Sequence, residues 1–134
     1  MAKQIQLRFF FYYILATGVG ICILWLNALF LNPVTPQAGE YYYSNLLRTN
    51  YTYLSASLFF VAGLIAGYRI KINPWLTGFA MIAVFPIIAM YEATIYRGSH
   101  NLIPLEFAVH FLYALPAILG VYSGKFIARK TSTH

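Results

Sequence analysis

Apolar residues run along this chain in four long blocks, roughly Phe9–Leu31, Tyr51–Tyr68, Trp75–Tyr96 and Leu105–Gly124, each closed by a short charged or turn-forming segment. A helix that crosses the hydrocarbon layer needs about 20 mostly apolar residues, so each block predicts one membrane span. The first block follows Lys3 and Arg8, the flank of a secretory signal, but its run of about 23 residues exceeds the usual apolar core of a cleaved signal. "PQAG" at 36–39 is a poor cleavage site, and the block is read as a true span. The 32–48 connection is long for a hairpin. Pro33, Pro36 and Gly39 break regular structure in it, whereas "EYYYSNLL" after them suits a short amphipathic helix lying on the membrane surface. "NYT" at 50–52 matches a glycosylation sequon, but it abuts the second span and carries no weight. With no repeat or low-complexity tract, residues 1–134 are expected to form a single all-α domain. The predicted fold is an integral membrane four-helix bundle with short loops and one longer outer loop.

Composition sharpens this picture. Of 134 residues, 60% are hydrophobic and 9% charged, where a soluble domain carries about a quarter charged. The net charge of +6 would suggest nucleic acid in a soluble protein. Here the cations sit at the ends of apolar blocks, where they meet lipid headgroups, so nucleic-acid binding is excluded. Lys3, Arg8, Arg69, Lys71, Lys125, Arg129 and Lys130 fall on one side of the predicted bundle, and only Arg48 and Arg97 on the other. The positive-inside rule then places both termini in the cytoplasm, in a bacterial inner membrane, with the 32–48 and 97–104 loops outside. Tyr41, Tyr42, Tyr43, Tyr51, Tyr53, Tyr91 and Tyr96 are expected at the outer headgroup level, and Tyr68 and Trp75 at the inner one. Cys22 is the sole cysteine, so an intrachain disulfide is impossible.

Small residues allow helices to approach in lipid, where apolar area gives little drive for association. "GLIAG" puts Gly63 and Gly67 on one face of the second span, and "GVYSG" puts Gly120 and Gly124 on one face of the fourth. These faces predict close packing within one bundle, or contact with a second copy or a membrane partner subunit. Pro86 and Pro116 lie near the middles of spans three and four. Each predicts a kink that frees the carbonyl four residues earlier, on Ile82 and Leu112, and together they suit a cavity between the two helices.

The candidate chemistry is concentrated in "YEATIYRGSHNLIPLEFAVH", 91–110. Three acidic residues and three histidines occur in the whole chain, and this stretch holds Glu92, Glu106, His100 and His110. Glu92 lies about one turn inside the third span, while Glu106 and His110 stand one turn apart on one face of the fourth. The short connection, carrying Arg97 and His100, makes the two spans antiparallel neighbours, with Glu92 and His110 at comparable depth. Ionisable groups in a span are costly and turn inward to partners.

Three readings follow. Glu92 or Glu106 pairs with Arg97 in a structural clasp, as in an accessory or assembly subunit. Alternatively, Glu92, Glu106 and His110, with Arg97 and His100, bind or pass a proton, a cation or a small polar ligand. In the third reading Glu106 and His110 are an i, i+4 ligand pair for a divalent metal completed by Glu92 or His100. "ExxxH" lacks the "HExxH" order of a zinc protease, and a bis-histidine haem would need a second histidine at the depth of His110. Phosphate-binding loops, nucleophile elbows and aspartates are all missing from the sequence, which argues against most phosphoryl-transfer and acid-pair mechanisms. In size and span number the chain is similar to the small multidrug resistance transporters, dimers of four-span subunits with an essential glutamate in the first helix. That glutamate has no counterpart here, because the first span offers only Thr17 and Asn27 as polar groups, and no functional residue carries over.

Overall fold

The computed structural model describes residues 2–30, 39, 41–96 and 103–131. They form six helices and, among the described residues, no strand: α1 (Ala2–Phe30), α2 (Tyr42–Thr49), α3 (Tyr53–Arg69), α4 (Pro74–Met81), α5 (Val84–Ile95) and α6 (Ile103–Thr131). Two stretches, Arg8–Phe30 and Pro104–Thr131, are long and apolar enough to cross a membrane. The count rises to four if each bent pair, α2 with α3 and α4 with α5, is one crossing. Side chains such as Phe10, Leu15, Trp25, Ile65, Met90 and Leu119 are exposed, a surface suited to lipid.

Local sequence explains where the helices begin and bend. Thr52 caps α3 in a reciprocal box, its hydroxyl accepting from the Ser55 amide while the Ser55 hydroxyl accepts from the Thr52 amide. The chain turns by 77° between α2 and α3 at this point. Asn73 caps α4 by accepting from the Trp75 and Leu76 amides at 2.9 and 3.3 Å, and Pro74 fills the first helical position. The third apolar block is two helices meeting at 51°. Pro86 lies in the first turn of α5, where its missing N–H is not needed. The Ile82 carbonyl, expected to be freed by Pro86, accepts instead from the Phe85 amide at 3.0 Å, so a tight turn satisfies it. The Thr17 hydroxyl of α1 reaches the Ala80 carbonyl at 2.9 Å beside this break. Pro116, by contrast, lies inside α6 without dividing it.

Helix α3 packs most extensively on α6. A Cβ added at Gly63 or Gly67 would strike the backbone of Ala117 or Val121, and one at Gly120 or Gly124 would strike that of Phe60 or Leu64. These contacts advance in step along both helices, so α3 and α6 run parallel. Helix α1 is antiparallel to α3, with Asn27 meeting Asn50 and Thr52 at one end and Tyr12 sharing a groove with Arg69 at the other. The core between them holds Ile23, Leu24, Phe59, Met81, Phe85 and Ile118. The bundle therefore has two distinct ends: one carries α2, and the other carries Arg69, Lys71, Lys125 and Arg129.

Candidate functional site

The α2 end is built from three groups of polar side chains that hold one short helix. Tyr41, the residue before α2, offers it no side-chain cap. The cap comes from 48 residues and more along the chain, from Glu92 of α5. Its Oε1 accepts from the amides of Tyr43 at 2.7 Å and Ser44 at 3.2 Å, and its Oε2 accepts from the Ser44 hydroxyl. Backbone amides at a helix start have no partner within the helix, and a carboxylate is the strongest acceptor available to them. Glu92 is 1% exposed, one of the most deeply buried side chains in the protein. It shares the inner face of α5 with Phe85 and Ala89, and Tyr91 beside it meets Tyr43 of α2 edge-on at 6.3 Å.

The other end of α2 is tied to α6. Arg48, in the last turn of α2, forms an ion pair with Glu106 in the first turn of α6, Nη2 to Oε1, at 3.5 Å. Each partner is also favourably placed against the helix terminus it occupies. The two glutamates, from different helices, therefore grip opposite ends of the same eight-residue helix. Between them Leu47 packs onto the core.

A third group joins α1 to the α2–α3 corner. The buried Asn27 amide donates to the Asn50 carbonyl, and its Oδ1 accepts from the Thr52 hydroxyl at 3.3 Å. The Asn50 carbonyl also accepts from the Ser55 hydroxyl at 2.7 Å, while the Asn50 side chain donates to Leu46 at 2.8 Å. Asn50 is 7% exposed, and its amide nitrogen is committed to the helix that precedes it, so the sequon is occupied by structure. Asn27 was legible as one of only two polar groups in the first span, but nothing in its neighbours named a partner.

Beneath α2 lies a set of rings. Tyr51 stacks on Tyr113 with centroids 4.2 Å apart and on Phe59 at 5.7 Å. Phe85 meets Tyr113 at 5.1 Å and His110 at 5.6 Å. The Tyr51 hydroxyl donates to the Tyr113 carbonyl at 2.8 Å, one residue past the Leu112 carbonyl that Pro116 cannot serve. Tyr51, expected as a headgroup anchor, is a half-buried part of the interior; Tyr41, Tyr43, Tyr53, Tyr91 and Tyr96 are exposed.

Of the proposed site residues, the structure brings Glu92 and Glu106 onto α2 and sets His110, 4% exposed, among Phe85, Phe107 and Tyr113. Phe85 stands seven residues before Glu92 on the same face of α5. Arg97 and His100 lie outside the described residues. Among the described residues, no group of three His, Cys, Asp or Glu side chains is close enough to hold a metal ion. No family model, curated protein or solved structure matches the chain.

Proposed function

We propose that the chain is a four-span membrane protein with both termini cytoplasmic, in a bacterial inner membrane. In this reading it is a non-catalytic accessory or assembly component that presents α2 as a fixed platform on the outer face. One observation carries the reading: the Glu92 carboxylate receives the amides of Tyr43 and Ser44, the second and third residues of α2, and the Ser44 hydroxyl. A carboxylate that transports a cation or proton must exchange its partners in each cycle. Three donors from one helix, on a side chain 1% exposed, favour holding over exchange. The Arg48–Glu106 pair at the far end of α2 points the same way.

The decisive experiment separates holding from exchange. Glu92→Gln, purified in detergent, is expected to unfold at a lower temperature than wild type and to become cleavable by protease between α2 and α3. In proteoliposomes, neither protein is expected to move protons or monovalent cations. A Glu92→Gln protein of unchanged stability that loses a cation- or proton-dependent flux seen in the wild type would instead establish the transport reading.

A further inference from the structure

At the end opposite α2, two adjoining spaces differ sharply in chemistry. The first is a groove of about 300 Å³ whose walls are almost wholly apolar, among them Leu15 and Val19 of α1, Ala62, Ile65 and Ala66 of α3, and Met81 of α4. The second, of about 620 Å³, is lined by Arg69, Lys71, Lys125 and Arg129. Arg69 and Ile70 line both, so the apolar groove opens beside the cationic one. Lys125 and Arg129 stand one turn apart on α6 and face the chain segment that carries Arg69 and Lys71. The carboxylates that the structure describes, Glu92 and Glu106, are both at the other end, on α2.

From this juxtaposition we propose that the basic end holds an anionic phospholipid, with its phosphate among Arg69, Lys71, Lys125 and Arg129 and one acyl chain in the groove between α1, α3 and α4. Basic pockets between membrane helices are suited to anionic headgroups, because each cation near the surface adds to their attraction in a medium that screens poorly. Volumes of a few hundred Å³ are typical of built ligand sites. The apolar groove supplies what the cations cannot, namely preference for a lipid over a free anion. This proposal rests on the chain lying in a membrane and is independent of the role of α2.

The test uses the full chain in a neutral detergent, titrated with dioleoyl-phosphatidylglycerol, dioleoyl-phosphatidylcholine or glycerol 3-phosphate while thermal unfolding is followed. The phosphatidylglycerol is expected to raise the midpoint saturably, and the other two to leave it within error. Arg69→Gln with Lys71→Gln is expected to weaken the apparent affinity about 25-fold, from roughly fivefold per cation. Ala66→Phe narrows the groove without touching a cation and is expected to weaken it at least tenfold. Leu15→Trp, on the exposed opposite wall, serves the same purpose if Ala66→Phe fails to fold. An equal response to phosphatidylcholine removes headgroup recognition, and an equal response to glycerol 3-phosphate reduces the site to an anion patch. Unchanged affinity in the folded groove variants removes the acyl chain from it. Any of the three overturns the proposal.

Discussion

The α3–α6 interface and the α2 corner solve the same problem by opposite means. Along α3 and α6 the contact is backbone against backbone, made by Gly63, Gly67, Gly120 and Gly124 with no polar side chain required. Around α2 the contacts that close its ends are polar, Glu92 on the Tyr43 and Ser44 amides, Arg48 on Glu106 and Asn27 on Asn50, while Leu47 packs onto the core between them. The difference follows from what each element can offer. A helix of 17 residues satisfies its own backbone and needs only to be approached closely, which glycine permits. A helix of eight residues leaves half its amides and carbonyls open, so its place is set by whatever side chains close them.

This contrast can be broken from either side. The largest effect is expected from Gly67→Leu, whose Cβ would lie 2.8 Å from the Val121 Cα with no flexible neighbour to yield. The two helices would have to separate, at a cost of about 3 kcal/mol or the loss of folded protein, read by chemical or thermal unfolding in detergent. Glu92→Ala should cost about 2–3 kcal/mol, because buried amides and a hydroxyl are left without their acceptor. Its damage should be local: hydrogen exchange should rise across 42–49 while 57–67 stays protected. Loss of protection in both regions would show that the corner and the glycine interface are one cooperative unit. Tyr51→Phe removes a single hydroxyl from the Tyr113 carbonyl and keeps the ring stack, so about 1 kcal/mol is expected by the same unfolding measurement. Arg48→Gln should be smallest, below about 1 kcal/mol, because the Arg48 side chain is 39% exposed and solvent screens the pair. The wild-type difference from Arg48→Gln should shrink further in high salt.

The features that depend on period and length were legible. Long apolar runs announce α1 and α6, and the polar, tyrosine-rich stretch after Gly39 announces a short surface-type helix where α2 lies. Pro86 marked the third block as bent, but its place in the first turn of α5 was not readable, because a kink and a full break share the same missing N–H. The partner of Glu92 was hidden for a more basic reason. It is the backbone of Tyr43 and Ser44, and every residue but proline carries such an amide, so no residue type signals it. Asn27 with Asn50 was hidden in the same way, since one of the two groups is a carbonyl. Tyr51 was misassigned because interfacial and buried tyrosines share composition, and only the stack on Tyr113 and Phe59 tells them apart.

The parallel course of α3 and α6 has an electrostatic consequence. Each helix carries about half a positive charge at its amino end and half a negative charge at its carboxyl end; because α3 and α6 are parallel, their like ends lie side by side, while α1, antiparallel to α3, offsets part of the sum. Their amino ends both point to the α2 corner, where α2 adds an amino end of its own. Glu106 in the first turn of α6 and Glu92 on the start of α2 stand where that field favours anions. Arg69 in the last turn of α3, with Arg129 and Lys130 in the last turn of α6, stand where it favours cations. Glu106, Arg69, Arg129 and Lys130 thus each occupy a terminal turn whose local field suits their charge.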